Sequence, residues 1–492
     1  MSAISIENLT FGWVGNTENV FDNVSFAMDT DWRTGLIGRN GRGKTTLMRL
    51  LADSGEMPHG GTISSPTGFR YFPYDIPDAS LSTQDAIDAV CPVYEFWELC
   101  RELNLLGVSE DTLFRPFETL SPGERTKIML ATLFIGNGDF VLMDEPTNHL
   151  DADGTLAVVS YLRSKKGFLI ASHDRSVLDA LCDHIVSIGR TGIDVLGGNY
   201  STWAEENRRR NNRERNEKAQ LLKDVNKMQE AARHTAEWSK KTEASKYGNG
   251  PVDRGFIGHR AAKLMKRSKA VEARRNDAIE KKSKLLKNIE NVGELKLTPL
   301  RHHAETLVEI NDVQIEYLSD KVFDLRIGRG ERIAVTGNNG AGKSSIVKLI
   351  AGESIPHCGE IKTASGLLTS YIPQETANPS GSVRSFAQDS GIDLTRFLTI
   401  LINLGVERSA FDLDISLFSS GQKRKALLAK SLCQPAHLFL WDEPLNFLDI
   451  YAREQIEELL LAYDLTILFV EHDEYFTKKV ATRTISVNSA ND

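Results

Sequence analysis

The chain has 492 residues, 41% of them hydrophobic, and a formal net charge of −8 at pH 7. This length allows two or three domains, each with its own core. The sequence has no run of the roughly 18 apolar residues that a membrane-spanning helix needs, so we expect no membrane span. The start of the chain does not resemble a secretion signal, and the five cysteines lack metal-binding spacing. We therefore expect a cytoplasmic protein with reduced thiols.

The first motif along the chain is GRNGRGKTT, which begins at Gly38 after the apolar residues TGLI and before the helical pattern LMRLL. It fits the phosphate-binding loop GxxxxGK[ST]. In such a loop backbone amides surround phosphates, the lysine meets the β- and γ-phosphates, and the hydroxyl reaches Mg²⁺. The nucleotide contacts that we expect here are Gly38, Asn40, Gly41, Gly43, Lys44, Thr45 and Thr46, with Thr45 also a metal ligand. Upstream, Trp13 fits stacking on adenine, or equally packing within a β subdomain.

Three further motifs follow in the first half. LSPGE begins at Leu120, and Ser121 and Gly123 can open a helix whose positive end faces a phosphate. The apolar strand VLM leads to Asp144, a candidate Mg²⁺ ligand, and to Glu145, which is placed to orient the attacking water. His173 ends a later apolar strand and can contact the γ-phosphate.

The middle of the chain differs from its flanks in charge. Between Glu206 and Glu290 there are 24 Lys and Arg against 12 Asp and Glu, whereas the remainder has 35 against 55. A solvated charged spacer is the plain reading of such a segment. A surplus of 12 positive charges between two acidic bodies instead favours a polyanionic partner, and we expect RNA.

The same segment is helical in pattern on both sides of a glycine-rich interruption, KYGNGPVDRGFIGH. This pattern predicts an antiparallel helical hairpin with its tip near residues 240–259. Aromatic side chains in a tip can stack on nucleobases, although mutual packing that closes the hairpin is an equal alternative. The tip and stalk residues that we expect to act at a ribosomal site are Lys246, Tyr247, Phe256, Ile257, His259, Lys263, Lys266, Arg267 and Lys269.

The second half repeats the motifs of the first. GNNGAGKSS begins at Gly337, 299 positions after Gly38. LSPGE, which we call the signature, recurs as FSSGQ, and the strand ending in Asp-Glu and the histidine also recur, each 298 or 299 positions on. Two homologous domains follow from this duplication. The expected second set is Tyr317 at adenine, the loop residues Gly337, Asn339, Gly340, Gly342, Lys343, Ser344 and Ser345, then Ser419, Gly421, Asp442, Glu443 and His472, with Ser344 and Asp442 as metal ligands.

These motifs together resemble an ATP-binding-cassette (ABC) nucleotide-binding domain, present twice. The resemblance implies an α/β fold, with a mainly parallel core sheet, an antiparallel β subdomain and a helical subdomain in each cassette. It also implies head-to-tail closure on two ATP molecules with Mg²⁺, in which Lys44 shares its ATP with Ser419 and Lys343 shares its ATP with Ser121. The predicted domains are residues 1–203, 204–300 (the basic hairpin) and 301–492.

Two residues depart from the cassette pattern. The resemblance implies that Gln374 contacts the nucleotide and binds Mg²⁺ in the second half. Tyr74 stands at the equivalent position of the first half, and a phenol offers no amide oxygen to Mg²⁺. Pro122 follows the signature serine and removes one amide donor. We expect both sites to hydrolyse ATP, with unequal rates possible.

Tandem cassettes joined by a basic helical segment resemble the ABC-F family of ribosome-associated ATPases. Within it, DEPLNFLD and the tip sequence resemble the Lsa/Vga-type resistance proteins, which protect ribosomes against lincosamides, streptogramin A and pleuromutilins. The resemblance implies binding at the tRNA exit site, with the hairpin reaching along the P-site tRNA and large-subunit rRNA toward the drug site. A housekeeping translation factor of this family, a soluble transporter ATPase and a protein-binding scaffold remain alternatives.

Overall fold

The computed structural model describes residues 2–13, 19–53, 57–136, 138–148, 150–189, 192–244, 259, 262–263, 265–266, 269–270, 273–274, 297, 299–316, 322–338, 340–374 and 379–487. The chain divides into two compact units. One comprises Met1–Tyr200 together with Val292–Asp492, and the other is Ser201–Asn291. The larger unit therefore contains both halves of the duplication.

The described residues of the first half form nine strands: β1 (Ala3–Phe11), β2 (Phe21–Asp29), β3 (Arg33–Gly38), β4 (Gly60–Ser64), β5 (Phe69–Phe72), β6 (Phe140–Asp144), β7 (Phe168–Ala171), β8 (His184–Ile188) and β9 (Ile193–Gly197). An antiparallel sheet has the order β2-β1-β4. The core sheet has the order β5-β6-β7-β3-β8-β9 and is parallel except for β9. Strands β6 and β7 are apolar and almost wholly buried, as expected for parallel strands covered on both faces.

The α-helices of this half, within the part of it that the structure describes, are α1 (Lys44–Ala52), α2 (Thr83–Val90), α3 (Phe96–Leu105), α4 (Pro122–Leu133), α5 (Ala152–Arg163) and α6 (Arg175–Leu181). Helix α1 packs Leu47, Met48, Leu50 and Leu51 into a core that it shares with both sheets. Helices α2, α3 and α4 form a helical subdomain between the β5 and β6 strands. The sheet order thus places the phosphate-binding loop after β3 and the Asp-Glu pair after β6, at the carboxyl ends of two parallel strands on either side of β7, where α/β folds bind ligands.

The second half has the same plan. Its strands are β10 (Thr306–Ile315), β11 (Val322–Gly328), β12 (Arg332–Thr336), β13 (His357–Thr363), β14 (Thr369–Ile372), β15 (Leu438–Asp442), β16 (Ile467–Val470) and β17 (Arg483–Ser486). Its helices are α8 (Lys343–Ala351), α9 (Val383–Asp389), α10 (Leu394–Asn403), α11 (Ser420–Cys433), α12 (Ile450–Ala462) and α13 (Glu474–Val480). The antiparallel sheet has the order β11-β10-β13, and the parallel sheet β14-β15-β16-β12-β17. The predicted α/β fold with two tandem halves is confirmed.

The smaller unit contains most of α7, which runs from Tyr200 to Ala244 as one helix of 45 residues. At 1.5 Å per residue it is about 68 Å long. Residues 259, 262–263, 265–266, 269–270 and 273–274 are also helical. Among the residues that the structure describes, no helix combines the length and the hydrophobicity needed to cross a membrane.

Candidate functional site

Both phosphate-binding loops enter their helices through a glycine that no other residue can replace without strain. Gly43 and Gly342 have φ values of 90° and 100°, in the left-handed region that favours glycine. A Cβ at Gly43 would lie 2.5 Å from Val20 Cγ1 and 2.9 Å from the Phe21 ring. The loops therefore keep their amide groups close to the body of the fold, as phosphate binding requires.

The two loop lysines are held in the same way. Lys44 Nζ donates to the Gly38 carbonyl at 2.8 Å and to Asn40 Oδ1 at 3.3 Å. Lys343 Nζ donates to the carbonyls of Gly337 and Asn338 at 2.7 and 3.0 Å. Burial lowers the pKa of Lys44, while Glu145 opposes this shift. We call the surroundings of Lys44 the first site and those of Lys343 the second site.

In the first site, hydroxyl and carboxylate groups meet beside the loop. Thr45 Oγ1 donates to Asp144 Oδ2 at 2.5 Å, and the Tyr71 hydroxyl donates to the same oxygen at 3.4 Å. Oxygen ligands of these two types are the ones that Mg²⁺ prefers. Tyr74 takes no part, because its hydroxyl bonds to Thr132 Oγ1 of α4, and burial raises its pKa to about 12.

The carboxylate of Glu145 lies against His173. His173 Nε2 is 3.2 Å from Glu145 Oε1, and the His173 backbone N–H donates to Oε2 at 3.3 Å. Burial raises the pKa of Glu145 to about 7, although Lys44 opposes the shift. Burial, with Lys44 nearby, lowers the pKa of His173 well below its usual range, so this imidazole is neutral at pH 7. A neutral imidazole therefore lies close beside this carboxyl group, whose Oε1 accepts no hydrogen bond from the described residues.

The second site surrounds its glutamate differently. Gln374 Nε2 donates to Glu443 Oε1 at 2.8 Å, Asn446 Nδ2 donates to Oε2 at 2.6 Å, and His472 Nε2 lies 3.6 Å from Oε1. Burial alone would raise the pKa of Glu443, but these neighbours together lower it below its usual range.

Gln374 also lies among the side chains predicted to bind metal in the second site. Its Oε1 accepts from Ser344 Oγ at 3.4 Å, and Asp442 beside it is fully buried. Burial raises the pKa of Asp442, and a divalent cation would offset the cost of burying this carboxylate. Ser344, Gln374 and Asp442 therefore fit a Mg²⁺ ion by their oxygen chemistry.

Both glutamates have a left-handed backbone. Glu145 has φ of 52° and Glu443 has φ of 49°, a region that L residues avoid at a cost of about 1 kcal/mol or more. In both halves the backbone therefore leaves the extended conformation at the residue after the aspartate that ends the strand. This turn places each carboxylate beside the histidine of the neighbouring strand.

Each signature serine begins a helix. Ser121 caps α4 by accepting from the Glu124 N–H, and Ser419 caps α11 by accepting from the Gln422 N–H. In return, the side chains of Glu124 and Gln422 accept from the backbone N–H groups of the two serines. Pro122 occupies the first turn of α4, where a helix has no need of its N–H. The amide that the proline lacks is therefore available only at the second-half signature.

The first site is completed by residues of the second half. Asn40 Nδ2 donates to the Phe447 carbonyl at 2.7 Å, and the Asn40 N–H donates to Asp449 Oδ2 at 3.2 Å. A Cβ at Gly421 would lie 3.0 Å from Asn40 Nδ2 and 2.8 Å from the Phe447 carbonyl oxygen. The phosphate-binding loop of one half thus faces the signature of the other.

One cleft of about 1830 Å³ includes both sites. On the first-site side its lining includes Trp13, Lys44, Glu145, His173, Ser419 and Gly421, and on the second-site side Lys343, Ser344, Gln374, Glu443, His472 and Pro122. Trp13 is 43% exposed, packs against Phe11 with the two rings nearly perpendicular, and lines the cleft. The predicted partners Tyr317 and Asn339 lie outside the described residues.

Sequence reasoning did not identify several interface residues. Lys425 Nζ pairs with Asp449 at 3.0 Å, and Arg453 lines the cleft beside Glu145 and His173. No short motif marks these residues, although both second-half charges act on the pKa of His173 in the first site. Their spacing from the signature and from Asp449 would have indicated only that they lie on α11 and α12.

The tip prediction falls largely outside the described residues: Lys246, Tyr247, Phe256, Ile257 and Arg267 are among those that the structure does not describe. His259, Lys263, Lys266 and Lys269 are described, and all four are helical and exposed.

A family model for the ABC transporter matches residues 21–148 and again residues 321–446, more than half of the chain. The chain belongs to the ABC transporter family. Each matched segment runs from the antiparallel sheet past the phosphate-binding loop and signature to the Asp-Glu pair. The two halves are therefore ATP-binding cassettes, and we call them cassette 1 and cassette 2.

Three relatives match almost the whole chain. ABC transporter F family member 2 of Arabidopsis thaliana is 25% identical over 99% of this chain and 76% of its own length. Probable ATP-binding protein YheS of Escherichia coli strain K12 is 27% identical over 93% and 75%. ATP-binding protein Uup of Caulobacter vibrioides is 28% identical over 95% and 75%.

Solved structures share the fold. The archaeal ribosome recycling factor aABCE1, in complex with the ribosomal stalk protein aP1, superposes with a TM-score of 0.61 at 19% identity, covering 97% of this chain and 87% of that one. A model of ribosome-bound archaeal Pelota and ABCE1 gives 0.57 at 20% identity, with 97% and 76% covered. At such identities the likeness extends to the tandem-cassette fold alone.

Proposed function

We propose that this chain is an ABC-F ATPase that binds the ribosome when ATP closes its cassettes, and that it protects the peptidyl transferase centre from antibiotics. The observation that carries the proposal is the match of ABC-F relatives over nearly the full chain, with a strongly basic helical segment between the two cassettes. The positive charge surplus on that segment favours binding to RNA, whereas the cassettes alone would be compatible with many kinds of partner.

The ATPase part of the proposal rests on the two composite sites. ATP and Mg²⁺ bind at each site, with Lys44 or Lys343 at the phosphates and the metal held by Thr45 and Asp144 or by Ser344, Asp442 and Gln374. Bound Mg²⁺ supplies charge neutralisation at the phosphates. Glu145 or Glu443 orients the attacking water, and His173 or His472 holds the glutamate beside it.

Closure follows from the arrangement around Asn40. The signature helix of cassette 2 begins at Ser419 with its positive end toward the phosphate loop of cassette 1, so a bound phosphate would be attracted by both. Nucleotide would thus add contacts that exist only when the cassettes are together. Hydrolysis removes those contacts and releases the chain from its partner.

The basic segment supplies the partner surface. Its described basic side chains are exposed to solvent: Arg208, Arg209, Arg210, Arg213, Lys223, Lys227, Lys241, Lys263, Lys266, Lys269 and Arg274. Side chains of this kind bind phosphate groups and release counterions, so binding would weaken steeply as salt rises. The partners proposed for this segment are large-subunit rRNA and the P-site tRNA, reached from the tRNA exit site.

The decisive biochemical experiment is co-sedimentation of the chain with 70S ribosomes. Glu145→Gln combined with Glu443→Gln would keep ATP bound, and we expect stable ATP-dependent association. Reversing Lys263, Lys266 and Lys269 to Glu should weaken this association and flatten its salt dependence, by about one unit of slope per lost phosphate contact. The same reversals at the exposed cassette lysines Lys166, Lys362 and Lys478 serve as the control.

The resistance part of the proposal is tested in a susceptible host. Expression of the chain should raise the inhibitory concentrations of lincosamides, streptogramin A and pleuromutilins, but leave that of an aminoglycoside unchanged. Replacing Phe256 or Tyr247 with Ala should reduce this protection while ATPase activity and ribosome binding persist. Ribosome binding without any protection would identify a housekeeping factor of the same family instead, and absence of ribosome binding would refute the proposal.

A further inference from the structure

A buried ion-pair network joins the two cassettes. Arg175 of cassette 1 donates from Nη2 to Glu457 Oε1 of cassette 2, and the same nitrogen lies 3.5 Å from Asp473 Oδ2. Arg453 Nη1 donates to that aspartate oxygen at 3.0 Å. Arg175 is 1% exposed and Asp473 5%, so both charges are removed from water and depend on each other.

The network connects the turns that carry the two catalytic histidines. Arg175 lies two residues after His173 of the first site, and Asp473 directly follows His472 of the second. The other carboxylate oxygen of Asp473 accepts from the Phe476 N–H and so caps α13. A displacement of either histidine turn therefore shifts the carboxylate that both turns share.

A second branch of the network reaches the first-site phosphate loop. Arg453 Nε donates to the Leu448 carbonyl at 3.2 Å. The next residue, Asp449, accepts from the Asn40 N–H of that loop at 3.2 Å and pairs with Lys425. The chain of contacts runs from the second-site histidine turn through Asp473 and Arg453 to the loop that holds the phosphates of the first site.

The duplication does not repeat this network on the opposite side of the interface. The position equivalent to Arg175 is Glu474, which pairs with Lys478 of its own helix at 2.8 Å. The positions equivalent to Arg453 and Glu457 are Thr155 and Val159, which carry no charge. Asp174, the equivalent of Asp473, accepts from the Ser176 and Val177 N–H groups and caps its own helix α6. Asp174 is therefore a natural control for Asp473.

We infer that Asp473, held by Arg175 and Arg453, is a positioning residue that couples the two ATP sites, and that this coupling runs through one side of the interface. The inference rests on the proposed ATPase function. A buried carboxylate held by two cations has one favourable position, so the network acts as a rigid link between the two histidine turns. Nucleotide bound at the second site then fixes the first-site loop before ATP arrives there.

The first test compares Asp473→Asn with Asp174→Asn in steady-state ATP hydrolysis. Asparagine caps a helix as well as aspartate does, so both variants keep their caps and lose only the charge. We expect a Hill coefficient for ATP well above 1, toward the ceiling of about 2 for two sites, in the wild type and in Asp174→Asn. In Asp473→Asn it should fall to about 1. Thermal unfolding of both variants checks that the fold persists.

The second test measures coupling directly. In Glu145→Gln the first site retains ATP, and we expect release of a fluorescent ATP analogue from the second site to be at least about fivefold slower than from wild type. Adding Asp473→Asn should restore fast release, and adding Asp174→Asn should not. In Arg175→Lys, which keeps the positive charge, release should stay slow, whereas Arg175→Gln should behave as Asp473→Asn does.

The outcomes separate the inference from the function on which it rests. A chain that hydrolyses no ATP would refute the proposed function. Hydrolysis with a wild-type Hill coefficient of 1, or equal effects of Asp473→Asn and Asp174→Asn on the Hill coefficient and on release, would overturn the coupling inference and leave the ATPase proposal intact.

Discussion

Glu145 and Glu443 occupy equivalent positions in the two cassettes, with the same unusual backbone conformation, but their carboxylates have different neighbours. Burial alone would raise the pKa of Glu443, but His472 beside it and the hydrogen bonds from Gln374 and Asn446 together lower it. Glu145 lies beside a neutral His173, and burial raises its pKa to about 7. A single exchange, Tyr74 for glutamine, removes the amide donor from the first site and leaves its carboxylate less well stabilised.

The two sites also differ in what the opposite cassette contributes. Cassette 2 places Lys425, Asp449 and Arg453 around the first site, and all three are buried. Cassette 1 has Lys127 and Asp151, the same residue types, at two of the equivalent positions, but the uncharged Thr155 where cassette 2 has Arg453. A duplicated motif therefore does not guarantee duplicated chemistry, because the charge around each site comes partly from the other copy.

The largest effect is expected from the glutamates themselves. Replacing both Glu145 and Glu443 with Gln removes the carboxylates that we propose orient the attacking water, and ATP hydrolysis should fall by about 10²–10⁴-fold. Each single replacement should remove more than half of the total rate, since the sites are coupled. The measurement is phosphate release at saturating ATP, beside equilibrium binding of ATP, which should persist. Normal hydrolysis by the double variant would show that neither glutamate takes part.

The next effect concerns Gly421 of cassette 2, which lies close to Asn40 of cassette 1. Gly421→Ala would bring a methyl group to 2.8 Å from the Phe447 carbonyl and should cost about 1–3 kcal/mol of closure, lowering kcat/KM for ATP by roughly ten- to a hundredfold. Gly60→Ala is the matched control, because its Cβ would meet Thr10 at an ordinary 3.4 Å. Equal kcat/KM values for the two variants would contradict the closed arrangement around Asn40.

The pH dependence should separate the two sites. The carboxyl group of Glu145, with its pKa raised to about 7, takes up a proton as pH falls through 7, so first-site activity should be present above pH 7 and be roughly tenfold lower at pH 6 than at pH 8. Glu443, whose pKa is lowered, stays ionised over this range. The residual ATPase of Glu443→Gln, which reports the first site, should therefore fall between pH 8 and 6 while that of Glu145→Gln remains level. Parallel profiles would contradict the difference in environment.

The smallest effects concern the two residues at the same point of the loop after β5 and β14. Gln374→Ala removes one hydrogen bond to Glu443 and an oxygen beside Ser344, and should raise the Mg²⁺ concentration required for half-maximal ATPase by a few-fold.

Tyr74→Phe should leave the Mg²⁺ requirement unchanged. Because it removes only the bond to Thr132, it should lower the free energy of unfolding by about 0.5–1.5 kcal/mol, as measured by denaturant unfolding. A Mg²⁺ effect of Tyr74→Phe would show that the phenol does reach the metal.

Local motifs made the fold predictable to a large extent. The repeat of the phosphate loop at Gly38 and Gly337, each between an apolar strand and a helix, indicates two α/β cassettes, and the structure and the family match confirm both. These motifs are visible because phosphate binding depends on consecutive backbone amides, which only a contiguous stretch of sequence can supply. The assignment of each site residue to ATP or Mg²⁺ stays a prediction, as does the role of the linker tip.

The sequence by itself determined where the loops, the signatures and the Asp-Glu pairs lie, and that a basic segment separates the two halves. Only the tertiary structure decided that Arg175 meets Glu457 and Asp473, some 280 to 300 positions away, and that Gln374 supports Glu443 whereas Tyr74 turns toward Thr132. The physical reason is that burial and charge pairing depend on which side chains face each other across an interface, and no local pattern of residues encodes that. The inequality of the two ATP sites is a property of the folded pair of cassettes.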